Sequence, residues 1–499
     1  MIRTLLIANR GEIAVRIART ARNMEIRTVA VFSEADRNAL HVAVCDEAVL
    51  LGPPPPSESY LRVDRILQAA RETGADAVHP GYGFLSERPE FVESCVEAGL
   101  TFVGPPASAM RALGDKASAK ALAVRAGVPV VPGWFEIGAT RDDLRVACAR
   151  IGYPVLLKAR AGGGGRGMRV VRRAEEFDPA FDMATDEAQK AFGDGAMMVE
   201  RLIERPRHIE VQLLADGKGR IAPLFERECS VQRRHQKLIE EAPSPWFAEH
   251  PEKWPAMRDA AVSLAREAGY VGAGTCEFIL DPASNEFFFL EVNARLQVEH
   301  PVTEAVTGLD LVAWQLRIAA GEPLELPTAL LEGDRSALRG WAIEARIVAE
   351  DPGQGFLPSA GKLEAWAEPR HPGVRVDSGF REGDEVSRFY DSMLAKVIAM
   401  GESRDAAIAR LRGGLFDFPI LGVPTNEAFL LDALDHPDFR KGHVDTGWVE
   451  RTLTDWKPPE PPPFLSDLLP LAKAEVKGER KSIVRVWDAN DGFRNAASS

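Results

Sequence analysis

The feature that most limits what this chain can fold into is its opening succession of strand, helix and strand. Thr4–Ala8 and Thr28–Phe32 are short apolar runs, and between them Glu12–Asn23 spaces Ile13, Ile17 and Ala21 along one helical face. Two consecutive strands joined through a helix run parallel, because a tight turn can close only an antiparallel pair. Leu61–Glu72 repeats the helical spacing, with Val63, Ile66, Leu67 and Ala70 at i, i+3, i+4 and i+7. The segment DAVHPGYGFLSE follows, a short strand entering a Gly/Pro turn. The turn puts His79, Tyr82 and Glu87 on a loop at a strand end, the edge where open α/β sheets bind ligands.

From Gly114 the pattern changes. Ala117–Ala126 is a run of helix formers stopped by Gly127 and Pro129. YPVLLKA and MRVV read as strands flanking a glycine loop, and MMVERLI, HIEVQLLAD, TCEFIL and FFFLEVN as further strands. Glu252–Ala268 and Leu309–Ala320 read as helices. A further unit opens with WAIEARIVAE, continues through the strands KLEAW and VRVDS, and holds a helix over Asp405–Leu415. KPPEPPPF then reads as a proline-rich linker.

A chain of 499 residues exceeds one ordinary core and suits three or so compact units. Its 45% apolar and 27% charged content is that of a soluble globular protein. A net charge of −13 argues against a nucleic-acid partner, which would require a basic face. Cys45, Cys95, Cys148, Cys229 and Cys276 are scattered with no C-x-x-C pair, so neither a disulfide framework nor a zinc site is expected, and a reducing, cytoplasmic setting is. No apolar run reaches the roughly 18 residues of a membrane span. Asn9-Arg10-Gly11-Glu12 breaks the first apolar run too early for a signal peptide.

Three segments could carry chemistry. Gly162–Gly165, Arg166 and Gly167 lie between two strands, where absent Cβ atoms let backbone N–H groups approach a phosphate. A glycine run alone reads more readily as a plain flexible hairpin; Lys158, ending the preceding strand and placing a cation beside it, shifts the reading toward phosphate. LEVNARLQVEHP alternates, so an extended chain would point Glu291, Asn293, Arg295, Gln297 and Glu299 to one face. A solvated strand face alternates too, but usually with Lys, Thr and Ser. Glu277 could reach Glu291 if their strands pair, and two carboxylates with an Asn carbonyl suit Mg²⁺ or Mn²⁺. Arg295 and Gln297 beside such a metal would suit a small planar oxyanion. ECSVQRRHQK crowds Arg233, Arg234, His235 and Lys237 into five residues, either a solvated basic turn or cations for a triphosphate.

Taken together these segments resemble biotin carboxylase, the ATP-grasp component of acetyl-CoA, propionyl-CoA, methylcrotonyl-CoA and pyruvate carboxylases. The resemblance runs through IANRGEIAVRI, HPGYGFLSE, GDK, KARAGGGGRGMRVV, RHIEVQLLAD, ECSVQRRHQK, EEAP, GTCEFI, EVNARLQVEHPVTE and EARIVAEDP, in that order from about residue 2 to 450. It implies an α/β chain: a Rossmann-like parallel-sheet domain over 1–113, an ATP-grasp domain over 114–330 with a mobile lid at about 131–204, a mixed α/β domain over 335–447, and a linker and tail over 448–499.

The resemblance also implies roles. ATP would meet Lys116, Lys158, Gly163, Gly164, Gly165, Met168, Glu200, Arg201, Ile203, His208, Gln232, His235, Glu277 and Glu291, with Glu200–Ile203 along the adenine. Glu277, Glu291 and Asn293 would hold Mg²⁺ or Mn²⁺, two ions in all. Lys237, Arg295, Gln297 and the Val298 backbone would hold bicarbonate, Glu299 would deprotonate it, and Tyr82 and Arg346 would serve biotin. Partners would be a biotinylated carrier protein or domain and a carboxyltransferase, in a homodimer or larger holoenzyme. Two departures stand out: Arg201 where relatives carry Lys, and Gly447 where they carry larger residues. The chain shows no A-M-K-M biotinylation site, and its terminal DANDGFR faintly resembles the DGWR that follows this region in propionyl- and methylcrotonyl-type subunits. A stand-alone subunit with a docking tail and a fragment of a longer lineage both remain open. So do two rival functions, another ATP-grasp carboxylate ligase and a non-catalytic nucleotide-binding subunit.

Overall fold

The computed structural model describes residues 2–136, 138–160 and 167–460. Gly163, Gly164 and Gly165 therefore lie outside the described residues, as does the tail beyond 460. Met1–Trp456 forms one contact-dense body.

The expected parallel sheet forms at the N-terminus. Its order is Glu47–Gly52, Arg27–Ser33, Thr4–Ile7, Ala77–His79, Thr101–Phe102, with every pairing parallel. The helix Gly11–Asn23 starts four residues after the first strand ends, and Gly11 makes the sharp entry possible by adopting φ +63°. His79 is the last residue of its strand rather than a loop residue, and it is fully buried.

A second sheet has eight antiparallel strands. In order they are Glu286–Asn293, Gly272–Asp281, Arg207–Ala215, Ile221–Arg233, Gln236–Ala242, Trp341–Val348, Met393–Gly401 and Val374–Ser378. The sheet crosses the expected boundary near 330–335 without interruption, because Gln236–Ala242 bonds directly to Trp341–Val348. KLEAW does not form a single strand. Leu363 N donates to Asp384 O and Glu364 N to Leu421 O, so the backbone changes partner in mid-segment while the Leu363 side chain is fully buried. Trp448 and Val449, expected to begin the tail, sit in a short helix, Trp448–Thr452, and are buried in the core over this part of the sheet. Apolar burial thus continues past 447.

The segment expected to be a lid has its own core. Gly133–Trp134, Met197–Arg201, Val155–Ala159 and Met168–Val171 form a separate antiparallel sheet backed by the helices Arg141–Ile151 and Phe177–Phe192. Leu144, Val155, Leu157, Phe177 and Val199 pack among themselves and not with the main cores. A unit that satisfies its own apolar surface can move as a body without exposing it.

Candidate active site

One row of residues crosses four strands of the large sheet. Glu291 stands opposite Glu277, Glu277 opposite Glu210, and Glu210 opposite Arg227. Directly opposed side chains have Cβ atoms about 5 Å apart, so three adjacent acids repel unless cations intervene. Arg227, fully buried, donates from Nε to Glu210 at 2.5 Å, from Nη1 to Gln212 (2.7 Å) and Thr303 (2.9 Å), and from Nη2 to Thr275 (3.1 Å). Lys237 supplies the second cation. Its Nζ donates to Glu210 (2.6 Å), Glu277 (3.0 Å) and Glu299 (2.5 Å) at once. His208 Nε2 lies 2.9 Å from Glu277.

The expectation that Glu291–Glu299 stays extended is incorrect. The strand ends at Asn293, and Glu299 is the N-cap residue of the helix His300–Thr307. The five polar side chains nevertheless gather, because the irregular turn folds them back. Asn293 Nδ2 and Gln297 Nε2 both donate to Glu277 Oε1, at 2.8 and 3.0 Å. Arg295 donates to Asn293, Gln297 and, from Nε, to Glu87 at 2.9 Å. The turn is clamped from behind: His300 Nδ1 bonds Gln297 O (2.7 Å), and the fully buried Lys396 donates to Val298 O (2.8 Å).

Glu299 is fully buried beneath this turn and accepts from Lys237 and, at 3.0 Å, from Arg346 Nη2. Burial pushes its carboxyl up, but the charges of Lys237, Arg346 and Arg227 outweigh burial and hold it well below the usual range. It is therefore an ionised acceptor at neutral pH. Burial likewise works against Glu277, and Lys237 with His208 reverses it. At Glu291 burial and the charge of Glu277 outweigh the opposing charges of Lys116, His208 and Lys237 and hold its carboxyl above the usual range. Burial would lower the Lys237 ammonium, yet Glu210, Glu277 and Glu299 hold it well above its ordinary value.

A cavity of about 1260 Å³ opens over this floor. Every described residue expected to serve the site lines it, from Tyr82, Lys116, Lys158 and Met168 through Glu200, Arg201, Ile203, His208, Gln232 and His235 to Arg346, except Glu299, which is fully buried. The basic cluster divides. Arg234 and His235 make the turn in left-handed conformations, Arg233 lies over the Phe356 ring, and only Lys237 reaches the acids. Sequence reasoning missed Glu210 and Arg227, which complete the charge row, and Lys120, which lies with Lys158 against Glu200 and 4.1 Å from the centre of the Phe135 ring. It singled out Glu87 and Arg295 but not their pairing, and it missed Glu240, which accepts from Arg346 Nε at 2.6 Å. The alternation of His208, Glu210 and Gln212 in HIEVQLL was the available signal for Glu210.

The donor set fits a hard divalent cation. Glu277 and Glu291 face each other across paired strands, Asn293 follows on the same strand face, and the Glu291 carboxyl is raised first by burial and then by the charge of Glu277, a repulsion that a cation between them would relieve. Among the described residues, the tightest groupings of three possible ligands are His208–Glu210–Glu277 and Glu210–Cys229–Glu299, and Lys237 already bonds all three of those glutamates.

A small, separately cored sheet, a cation-lined cleft and a floor of paired carboxylates are the features of an ATP-grasp ligase. Residues 1–110 match the family described as biotin carboxylase, N-terminal domain, residues 115–327 the carbamoyl-phosphate synthase L chain ATP-binding domain, and residues 344–451 the biotin carboxylase C-terminal domain. The chain belongs to the biotin carboxylase family, whose members are ATP-dependent ligases. Biotin carboxylase 1 of Bacillus subtilis is 48% identical over 450 residues, covering 90% of this chain and 98% of that protein. The mitochondrial methylcrotonoyl-CoA carboxylase subunit alpha of Oryza sativa subsp. japonica is 50% identical over 459 residues, covering 91% of this chain and 61% of that protein. The chain thus spans about three fifths of that larger subunit. Among solved structures, the biotin carboxylase domain dimer of Hydrogenobacter thermophilus 2-oxoglutarate carboxylase, in complex with MgADP, ADP and bicarbonate, superposes with a TM-score of 0.86 at 43% identity, covering 92% of this chain and all of that one. The Campylobacter jejuni biotin carboxylase–β-γ-ATP complex gives 0.85 at 42%, covering 90% and 99%.

Proposed function

We propose that this chain carboxylates biotin on a carrier, using ATP and bicarbonate, as the first half-reaction of a biotin-dependent acyl-CoA carboxylase. The observation that carries this reading is the convergence of Lys237 and Arg346 on the buried carboxylate of Glu299, beside a turn that presents Arg295, Gln297 and the Val298 backbone to one cavity. The methylcrotonoyl-type relatives, and a propionyl-CoA carboxylase alpha chain from Ruegeria pomeroyi at 46% identity, favour an acyl-CoA acceptor.

In this reading Lys237, Arg295 and Gln297 orient bicarbonate, and ionised Glu299 takes its proton as a bicarbonate oxygen attacks the γ-phosphorus of ATP. The bond to ADP breaks, giving carboxyphosphate. Lys116 and Lys158 offset charge on the phosphates. Glu277, Glu291 and Asn293 would hold Mg²⁺ or Mn²⁺, which supplies charge neutralisation at the phosphoryl oxygens when bound. Carboxyphosphate releases CO₂ and phosphate; the phosphate takes the N1 proton of biotin, and Arg346 offsets the enolate oxygen that forms. Tyr82 lies against the biotin ring. The lid over 131–204 closes to exclude water, which would otherwise hydrolyse carboxyphosphate.

Phosphate release from ATP, measured with and without bicarbonate and free biotin, tests the reading. Turnover that needs bicarbonate and rises with biotin is expected. Turnover indifferent to both points instead to another carboxylate ligase, and no turnover to a nucleotide-binding subunit.

A further inference from the structure

Behind Arg346 lie two buried acids that the reaction above leaves unused. Glu240 and Glu344 are both fully buried and stand directly opposite each other on the paired strands Gln236–Ala242 and Trp341–Val348. Arg346, two residues beyond Glu344, is gripped from two sides. Glu240 Oε1 accepts from Nε at 2.6 Å, and Glu299 Oε2 accepts from Nη2 at 3.0 Å. Glu240 Oε2 and both oxygens of Glu344 have no hydrogen-bond partner among the described residues. Such a pair cannot stand fully ionised in a dry interior: burial holds Glu344 well above the usual carboxylate range and raises Glu240 to about 7 against the opposing charge of Arg346, so Glu240, the acid hydrogen-bonded to Arg346, ionises the more readily of the two.

The two grips differ in kind. Glu240 projects from a strand with neighbours bonded on both sides in an eight-stranded sheet, whereas Glu299 sits at the start of an eight-residue helix, within the turn that receives substrate. A guanidinium is planar, so fixing its Nε edge fixes the direction of both terminal nitrogens. Once Glu299 carries the proton of bicarbonate, it loses its charge and its hold on Nη2 weakens. The Nε grip remains.

We propose that Glu240 is a positioning residue for the carboxyl-transfer half of the reaction: anchored through Nε, Arg346 exchanges Glu299 for the oxyanion forming on the ureido ring of biotin without losing its orientation. This inference rests on the functional reading above. No bond is made or broken at Glu240; the proton leaves bicarbonate for Glu299, and Arg346 stays a cation throughout. Glu344, as the neutral acid opposite, keeps a second negative charge from drawing the guanidinium away from the cavity.

The test compares carboxybiotin formed per ATP consumed, with free biotin, for the full chain and for Glu240→Ala, Glu240→Gln and Arg346→Lys, singly and combined. In Glu240→Ala the ratio is expected to fall roughly ten- to a hundredfold, the worth of one charge-assisted hydrogen bond at a transition state. Glu240→Gln, whose amide oxygen still accepts from Nε, is expected to fall between that and the parent chain. The KM for biotin should move little, and Glu240→Ala should add almost nothing in an Arg346→Lys background, because both changes remove the same alignment. A ratio equal to the parent's in either Glu240 variant, with ADP-induced thermal stabilisation showing that the variant folds, overturns the proposal. So does a full multiplicative loss in the double variant. If Glu240→Ala fails to fold, Glu240→Gln decides alone. A parent chain that lacks bicarbonate- and biotin-dependent turnover would instead defeat the functional reading itself.

Discussion

Lys237→Met keeps side-chain length and removes one buried positive charge from the centre of the site. Lys237 bonds three acids whose side chains are at most 5% exposed. Those acids retain other partners: Glu210 keeps Arg227, Glu277 keeps His208, and Glu299 shares Arg346 with Glu240. Without Lys237, the buried acids Glu210, Glu240, Glu277 and Glu299 share only Arg227, Arg346 and His208, one cation fewer than in the parent chain. Stripping one partner from a buried ion pair costs about 3–5 kcal/mol. A body the size of Met1–Trp456 unfolds with an entropy of about 1 kcal/mol per kelvin, so its midpoint should fall by about 3–5 °C.

The sign of the pH dependence follows from the same contacts. In the parent chain Glu277 and Glu299 ionise below the usual range, so their stabilisation is present above the unfolded value of about 4.3 and is lost as pH falls through their folded values. In the variant burial prevails, raises both carboxyls, and makes their ionised forms a burden that grows above pH of about 4.3. The gap between the two proteins is therefore widest at pH 7–8 and narrows toward pH 5. Thermal unfolding across that range, without nucleotide, measures it. A midpoint within about 1 °C of the parent at pH 8, or a gap that widens on acidification, would refute the reasoning.

Glu299→Gln keeps the shape of the floor and loses the proton acceptor; ATP binding should persist while bicarbonate-dependent turnover falls about 10²–10⁴-fold, and near-normal turnover would remove Glu299 from its role as base. Glu291→Gln takes one charge from the cation-binding pair, so the Mg²⁺ concentration for half-maximal turnover should rise about tenfold or more, and an unchanged requirement would place the metal elsewhere. Trp448→Ala empties a nearly fully buried site in the C-terminal core and should cost about 3–5 kcal/mol in denaturant unfolding, whereas a loss below about 1 kcal/mol would return residue 448 to the linker.

Local patterns carried much of the fold. Ile13, Ile17 and Ala21 marked the first helix, and apolar runs on either side of it made the first sheet parallel, because periodicity and connection type are properties of short segments. The Glu277–Glu291 pairing was legible only in part: the two strands lie close in sequence, but counting back from the connecting turn would set Glu277 opposite Leu290, and an irregularity between Glu277 and Phe278 shifts the register to bring Glu291 there. What escaped was decided by registers between distant segments. Nothing near Arg227 says that it will stand opposite Glu210, and nothing near Glu240 says that Arg346, 106 residues on, will donate to it. The extended reading of Glu291–Glu299 failed because alternation is blind to where a strand stops. Here the chain leaves the sheet edge after Asn293, and side-chain bonds to Glu277 and Glu87, with Lys396 behind Val298, fix an irregular turn instead.

The central claim is that bicarbonate itself attacks ATP over the floor of Glu277, Glu291 and Glu299. Turnover with bicarbonate labelled in all its oxygens by ¹⁸O, followed by mass analysis of the released phosphate, tests it most directly. Transfer of a single labelled oxygen into each phosphate is predicted, because the attacking oxygen stays on phosphorus when carboxyphosphate breaks down. Phosphate free of label, in a reaction that still consumes ATP, would mean that water or another acid is the nucleophile.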